Sequence, residues 1–228
     1  MNSKQKRQHK RKPNSSAEMD QNRGAQKHKK LQHFARLRAL NKHYSLATAL
    51  ILAERMLINA DLFLYAINQQ QQAIVAKEIL TQYWAKLLNR KSKLNVDAIQ
   101  NKLEGLFDIA TEDSLAAQSY NDFVVALGIC LDAFADQEMQ PAVEVAKLSQ
   151  GDIERYIEAE VQRELTPGEF RAHELVQCEL SVLDSMLDFL QSEQPDNFGI
   201  NEMKMVICGL GVSNLGVSNV DVKTPVQV

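Results

Sequence analysis

Pairs of carboxylates are the side chains in this sequence whose type and spacing best suit a chemical role, the binding of a metal ion. Glu154 and Glu158, like Glu160 and Glu164, are four residues apart and would share a helix face, where two carboxylates could hold a metal ion. Carboxylate sites in helical bundles also use a Glu-x-x-His pattern, which does not accompany these residues. The spacing therefore favours a solvated acidic face, and we expect no metal site.

Asp132 is a second candidate, because it lies in the most apolar stretch of the chain, residues 123–135. A buried acid at this position would have a raised pKa. Gly128, Asp132 and Asp136 are four residues apart, however, and form one narrow stripe on a helix. Charged residues are rarely fully buried unless they are paired. The sequence therefore favours a solvent-facing edge on an otherwise buried helix.

Nucleophiles and general bases are scarce. Cys130, Cys178 and Cys208 form no C-x-x-C pair, and their odd number argues against a disulfide framework, so we expect three reduced, unreactive thiols. His173 is the only histidine after His43 and is expected to face water. No Ser/His/Asp or Cys/His arrangement has usable spacing. We expect no catalytic residue and no cofactor, and an enzyme ranks last among the functions considered.

A glycine-rich segment near the C-terminus, GLGVSNLG at 209–216, is superficially similar to a phosphate-binding loop. Its glycine spacing is wrong, and it follows a predicted helix instead of linking a strand to a helix. Helix caps and turns explain these glycines better.

Charge is divided unevenly along the chain. Residues 1–43 carry thirteen Lys or Arg and two acidic residues, a net charge of +11, whereas residues 44–228 carry a net charge of −14, which gives −3 overall. Residues 1–30 contain almost no apolar side chain and are expected to form a disordered basic arm. The arm would attract RNA or DNA phosphates without reading base sequence. The candidate phosphate contacts are Lys4, Lys6, Arg7, Lys10, Arg11, Lys12, Lys27, Lys29 and Lys30.

Beyond residue 30, apolar residues recur at helical spacing, which predicts a compact all-α domain of eight or nine helices over residues 31–217. Helix 123–135 is expected at the centre of the bundle, residues 111–121 are expected to be a loop, and residues 218–228 are expected to be a frayed tail. The expected helix starts are Asn41, Asn59, Asn95, Pro141, Thr166 and Asn201, with the helix from Thr166 continuing to Leu190. Thr166 and Glu169 have the spacing of a capping box.

Several segments together resemble the YjaG-like family, a bacterial domain of unknown function. They include Leu131-Asp132-Ala133, AVEVAKLS at 142–149 and GVSNLG at 211–216, and the basic arm lies outside the pattern. The resemblance implies an all-helical fold in an intracellular bacterial protein and implies no activity. The motif positions, whose role it leaves open, are Glu54, Arg55, Trp84, Lys93, Asn95, Asp132, Glu144, Lys147, Ser213 and Asn214.

Three classes of function remain, and the sequence ranks a non-catalytic interaction or adaptor protein first. An acidic body with long helical surfaces suits the docking of another protein. Weak, non-specific association with RNA or DNA through the arm ranks second. No window of the sequence is apolar enough for a membrane span and no signal peptide is apparent, so we expect a cytoplasmic protein. The sequence leaves the oligomeric state open.

Overall fold

The computed structural model describes residues 33–89, 91–110, 112–136 and 139–218, and within these residues the regular elements are helices. Residues 33–38 are helical and precede the others. The remaining helices are α1 Lys42–Ala66, α2 Gln70–Leu88, α3 Val96–Phe107, α4 Leu115–Ala135, α5 Pro141–Val161, α6 Pro167–Ala172, α7 Glu174–Ser192 and α8 Asn197–Gly209. The all-helical prediction is confirmed. The predicted arm, 1–30, and residues 219–228 of the predicted tail lie outside the described residues.

Helix α1 occupies the centre of the bundle. It is buried on every side along most of its length and contacts α2, α4, α5 and α8. A helix that is apolar all round must lie in a core, because it has no polar face to turn to water. The prediction that residues 123–135 form the central helix is wrong. Those residues are the C-terminal half of α4, which is one of the helices packed on α1.

Two predicted breaks are absent or shifted. Asn59 was expected to cap a separate helix, but α1 continues through it, because the buried Asn59 side chain donates a hydrogen bond to Asn214. Residues 111–121 were expected to be a loop, yet the Ser114 hydroxyl accepts a hydrogen bond from the Ala117 backbone N–H and begins α4 at Leu115. Asn and Ser side chains can either cap a helix or form hydrogen bonds elsewhere, and the sequence alone does not show which of these occurs.

The C-terminal third contains two further differences from prediction. The capping box of Thr166 and Glu169 is confirmed, but the helix it begins is only α6. His173 then adopts an extended backbone conformation, and its Nδ1 accepts a hydrogen bond from the Leu175 N–H at 3.3 Å, so that it caps α7. Helix α8 begins at Asn197 and is capped by Asp196, five residues before the predicted cap, Asn201.

The other predicted elements agree with the structure. The apolar residues at helical spacing in α2 are buried from Ile79 to Leu87, Asn95 caps α3, and Pro141 is the first residue of α5. Gly211 and Gly216 have positive φ and lie in turns, as the cap-and-turn interpretation of GLGVSNLG requires. Across the described residues, no helix combines the length and apolarity that a bilayer crossing needs.

Candidate functional site

The least expected feature of the interior is a cluster of buried polar side chains where α1, α4, α5 and α7 meet the loop 212–218. We call this cluster the polar network. Each of its members is at most 8% exposed. The members are Arg55, Asn59, Ser119, Ser149, Asp152, Glu179, Ser213 and Asn214.

One half of the polar network is built around the buried ion pair of Arg55 and Glu179. The Arg55 guanidinium also donates from Nη2 to the backbone oxygen of Ser213, at 3.2 Å. The Ser149 hydroxyl donates to Glu179 Oε1 at 2.7 Å. A buried charge needs both a counter-ion and hydrogen bonds to offset the loss of water, and this arrangement supplies both. The ion pair thereby joins α1 to α7 and to the C-terminal loop.

The other half is centred on the Asn214 side chain. Asn59 Nδ2 donates to Asn214 Oδ1 at 2.8 Å, and Asn214 Nδ2 donates to Asp152 Oδ2 at 3.1 Å. The Ser119 hydroxyl also donates to Asp152 Oδ2, at 2.9 Å. Asn214 therefore links α1 to α5, while Ser119 adds α4 to the same chain of hydrogen bonds.

Burial has an electrostatic cost at Asp152, one of the two acidic members of the polar network. Its side chain is fully buried, and burial raises its pKa above the usual value, although hydrogen bonds from Asn214 and Ser119 and the Arg155 cation oppose this effect. Asp152 Oδ1 lies 3.6 Å from an Arg155 nitrogen and accepts no hydrogen bond from the described residues. Arg155 is shared with Asp122, which weakens its hold on Asp152.

The contacts of the polar network are structural ones between buried side chains. Its members, two of which belong to the loop 212–218 itself, have little exposure to solvent. Among the described residues, no group of three or more His, Cys, Asp and Glu side chains is arranged to hold a metal ion. The network's effect is to fix the C-terminal loop against four helices.

The thiols are poorly suited to nucleophilic chemistry. Cys130 is fully buried, and desolvation raises its pKa far above the usual range. Burial, with a smaller contribution from Glu54, raises the pKa of Cys208 to about 12. Because the thiolate is the reactive form, neither side chain is activated. Cys178 is exposed on α7.

The structure does not bring the motif positions of the resemblance together in one place. Arg55, Ser213 and Asn214 belong to the polar network, and Glu54 accepts a hydrogen bond from Trp84 Nε1 at 2.8 Å in a second cluster on α1. The remaining positions are peripheral. Asn95 caps α3, Lys147 pairs with Glu144 on the surface, and Lys93 and Asp132 are exposed. The exposed Asp132 confirms the prediction of a solvent-facing edge.

Sequence reasoning missed Ser119, Ser149, Asp152 and Glu179. A signal was present for two of them: Asp152 immediately precedes Ile153 in the buried row of α5, and Glu179 lies between Val176 and Leu183 in that of α7. Polar residues inside an apolar helical row are candidates for a buried network. The nine candidate phosphate contacts, Lys4 to Lys30, lie outside the described residues.

The most exposed large apolar side chains of the described residues lie on the outer face of α8 and at its C-terminal cap. Four of them, which we call the α8 stripe, are between 65% and 72% exposed. The other large apolar side chains with high exposure reach at most 50% and are spread over five other helices. The α8 stripe consists of Phe198, Met205, Val206 and Leu210.

The inner face of α8 is firmly attached to the bundle. Lys204 forms an ion pair with Glu54 at 3.3 Å, and its Nζ lies 4.7 Å from the centre of the Trp84 ring. At the N-terminal end of the helix, Asn197 Nδ2 donates to the Leu88 backbone oxygen, and Asn197 Oδ1 lies 2.9 Å from His43 Nε2. The helix is therefore held in one orientation while its outer face has no partner among the described residues.

A pocket of about 310 Å³ lies beside α7 and contains a buried histidine. His33 Nε2 is 2.7 Å from Asp184 Oδ1, and Arg36 pairs with both Asp184 and Asp188. These contacts attach the helical stretch 33–38 to α7. Arg36 accounts for the attachment, because neither ring nitrogen of His33 makes a hydrogen bond to the described residues.

The Arg55–Glu179 ion pair makes a measurable contribution to stability. We expect Arg55→Met to lower the free energy of unfolding by about 3–5 kcal/mol, because it leaves the Glu179 carboxylate buried without a counter-ion. The double variant Arg55→Met/Glu179→Gln should be more stable than the single variant, since the amide needs no counter-ion. Urea unfolding provides the measurement. Lys147→Met, which breaks the exposed pair with Glu144, is the control and should change stability by under about 1 kcal/mol.

Asp152 gives the protein a specific pH dependence. Its pKa is raised from the usual 3.8, so above pH 3.8 the folded state binds more protons than the unfolded state and loses stability as pH rises. We expect the stability of Asp152→Asn relative to the wild type to increase from about pH 4 towards neutrality. Urea unfolding at a series of pH values measures this difference, with the exposed Asp132→Asn as control. A difference that stays constant with pH would show that the folded-state pKa of Asp152 is not raised.

Comparisons with known proteins agree on an uncharacterised family. A relative from Haemophilus influenzae, described as an uncharacterized protein, is 29% identical over 185 residues, which cover 80% of this chain and 94% of the relative. The crystal structure of a DUF416 family protein from Shewanella baltica is similar in fold, with a TM-score of 0.71 and 28% identity. The match covers 81% of this chain and 97% of that one.

The family assignment rests on the sequence profile of DUF416, described as a protein of unknown function, which matches residues 32–218. This range contains both the polar network and α8, whereas the basic arm lies before it, as the resemblance in sequence implied. The narrower name YjaG-like remains a resemblance. The chain belongs to the DUF416 family of proteins of unknown function.

Proposed function

We propose that this protein is a non-catalytic interaction module whose α8 stripe binds an apolar segment of another protein. The exposure of the α8 stripe is the observation that carries this proposal. Four large apolar side chains at 65–72% exposure, three on one short helix and one at its C-terminal cap, are unusual for a surface that meets only water. Single exposed apolar residues are common and need no explanation, but these four occur within thirteen residues of sequence.

The attachment of α8 makes its outer face a suitable binding surface. Binding costs less entropy when the surface is already in its bound conformation. Lys204, Asn197 and the buried Ile200 and Met203 hold the inner face of the helix. A partner would therefore meet a rigid row of aromatic, Met and aliphatic side chains, which are typical of interface centres.

Charge complementarity defines the chemistry of the partner. Glu202 lies within the turns of the α8 stripe, and Glu193 and Asp196 are exposed in the preceding turn, whereas Lys204 is already paired with Glu54. Residues 44–228 as a whole carry a net charge of −14. We therefore assign the site to a protein segment that has an apolar face flanked by Lys or Arg.

A charge introduced into the α8 stripe should weaken this interaction. We expect Val206→Asp to lower the affinity for the partner at least about tenfold, because the new carboxylate would be desolvated in the interface. The partner would be isolated by affinity purification with the wild-type chain, purified, and titrated against each variant by calorimetry.

Ile74→Asp is the matched control, since Ile74 is a half-exposed apolar residue on α2, away from the α8 stripe. It should bind the partner as the wild type does. Circular dichroism and urea unfolding establish that both variants fold. Equal affinity for the two variants would reject the α8 stripe as the binding surface.

We propose RNA or DNA association through the basic arm as a second candidate function. The supporting observation is the concentration of positive charge in residues 1–43, which carry a net charge of +11 ahead of an acidic body. Such binding would be electrostatic, because Lys and Arg release counterions condensed on the phosphates. No aromatic side chain in residues 1–30 is present to stack on bases.

The salt dependence of binding tests the second candidate. Affinity for labelled RNA or duplex DNA should fall by on the order of 10³ or more between 50 and 200 mM salt if six or more arm residues contact phosphates. Deletion of residues 1–30 should abolish binding. A chain of unchanged length whose nine candidate Lys and Arg residues are replaced by Gln separates charge from length and should also fail to bind. Equal binding by all three chains would contradict the role of the arm.

A further inference from the structure

The α8 stripe borders an apolar groove of about 460 Å³ between α7 and α8. Met203 is the buried residue of the groove, and Phe189 and Ile207 are partly buried in its walls. Val206, a member of the α8 stripe, is exposed at the edge of the groove. The α8 stripe and the groove therefore form one continuous apolar surface, which we call the α8 surface.

One carboxylate interrupts the apolar character of the α8 surface. Glu202 is exposed, lines the groove and lies one helical turn from Phe198 on one side and from Val206 on the other. Leu210 continues this row at the same four-residue spacing, so Glu202 is the one polar member of the row. Glu202 forms no ion pair with another described residue, and the nearby Lys204 is already paired on the inner face of the helix.

The position of Glu202 sets a requirement on any partner that covers the α8 surface. Such a partner removes water from the Glu202 carboxylate, and a carboxylate that loses its water without gaining a counter-ion opposes binding. A Lys or Arg placed against it would instead form a charge-assisted hydrogen bond. The long stem of a Lys or Arg also covers apolar neighbours while the charged end reaches the carboxylate. The partner therefore needs a basic residue inside its apolar face as well as at the edges.

The walls of the groove favour a helical partner. Both walls are helices, which use their backbone N–H and C=O groups within themselves, so neither wall offers a strand edge to an extended segment. The polar side chains in the lining are Glu202 and Ser185, and the Ser185 hydroxyl already donates to the Ser181 backbone oxygen. An extended segment would therefore leave its own backbone groups unpaired in an apolar groove. A helix avoids this cost because it pairs its backbone groups internally.

A second copy of this chain fits the α8 surface poorly. In a two-fold symmetric dimer the same patch of both subunits meets itself. Two α8 stripes that pair about their middle would bring the two Glu202 carboxylates together, and like charges in an interface suppress such a pairing. The charge at the centre of the surface therefore favours a different molecule that carries the opposite charge.

We propose that the α8 surface binds an amphipathic α-helix of another protein, in which a Lys or Arg stands between apolar residues and pairs with Glu202. From Phe198 to Leu210 the surface is about 18 Å long, which corresponds to about three turns of the bound helix. The apolar residues of that helix recur every three or four positions and enter the groove beside Met203 and Val206. This proposal rests on the function proposed above and specifies the conformation of the partner and the position of its charge.

Selection from a phage-displayed library of random peptides tests the proposal on the full chain. The peptides are about 16 residues long, enough for four turns of helix. Those that bind the wild type and fail to bind Val206→Asp are kept, which removes peptides bound to other faces. The selected sequences should have apolar residues at i, i+3 or i+4 and i+7, with a recurrent Lys or Arg between them. Apolar residues at every second position, a missing basic position or a failure to select any peptide would overturn the proposal.

Charge exchange at Glu202 tests the proposed ion pair. By calorimetry, the tightest selected peptide should bind Glu202→Gln at least about tenfold more weakly than the wild type, and Glu202→Lys more weakly still. The same peptide with Glu in place of its central Lys or Arg should bind Glu202→Lys at least about tenfold more tightly than the original peptide does. Glu160→Lys, at an exposed position on α5, is the matched control for net charge and should change affinity by less than about twofold. Equal affinity of the original peptide for the wild type and Glu202→Lys would contradict the ion pair.

The natural partner, isolated with the wild-type chain, distinguishes this proposal from the function on which it rests. If Val206→Asp weakens its binding and Glu202→Lys does not, the interaction site stands and the paired basic residue is rejected. If Val206→Asp leaves its binding unchanged, the interaction site itself is rejected, whatever the peptides show. Sedimentation equilibrium tests the remaining occupant: a wild-type dimer that Val206→Asp dissociates would overturn the proposal in favour of a second copy of the chain.

Discussion

The buried ion pair of Arg55 and Glu179 is the constraint around which the C-terminal half of this protein is arranged. A guanidinium and a carboxylate that are both shielded from water must remain together, because separating them leaves a charge without solvation. Arg55 is on the central helix, Glu179 is on α7, and the same guanidinium binds the backbone of Ser213. The register of α7 and the path of the final loop are therefore set by one side chain of α1.

Asn214 extends this constraint to α5. Its amide both accepts from Asn59 and donates to Asp152, two roles that a side chain of similar shape without an amide, such as Leu or Asp, cannot fill together. The GVSNLG segment has glycines like those of a phosphate-binding loop, but in the structure its residues Ser213 and Asn214 complete the buried polar network. Its glycines allow the tight turns at positive φ that bring Ser213 and Asn214 inward.

Much of the fold could be predicted from the sequence, because apolar periodicity is a local property. The buried rows of α2 and α3 and the capping box at Thr166 follow directly from residue spacing. The buried network could not be predicted in the same way. A polar residue in an apolar row is interpreted as a helix edge or a cap until its partner is known. Arg55 and Glu179 are 124 residues apart in sequence, and Asn59 and Asn214 are 155 residues apart.

The same ambiguity explains the misassigned central helix. Residues 123–135 are the most continuously apolar stretch, whereas the apolar run of α1 is interrupted by Arg55, Asn59 and Asp61. In the structure Arg55 is paired with Glu179, and the Asn59 amide donates to Asn214, so α1 tolerates a buried position on all sides. The apolarity of a single segment indicates only that the segment can be buried. Burial of α1 also depends on hydrogen bonds and an ion pair from its polar side chains to residues distant in sequence.

The two faces of α8 have different roles in the folded chain. The stability of the helix comes from its inner face, through Met203, Ile200 and the contacts of Lys204 with Glu54 and Trp84. The side chains of the α8 stripe contribute little burial to the folded chain, so their apolar character is not explained by folding. A core that is specified by its own polar network can carry such a stripe without losing its packing. The separation of the two sets of residues therefore means that the side chains of the α8 stripe can be substituted while the contacts of the inner face stay unchanged.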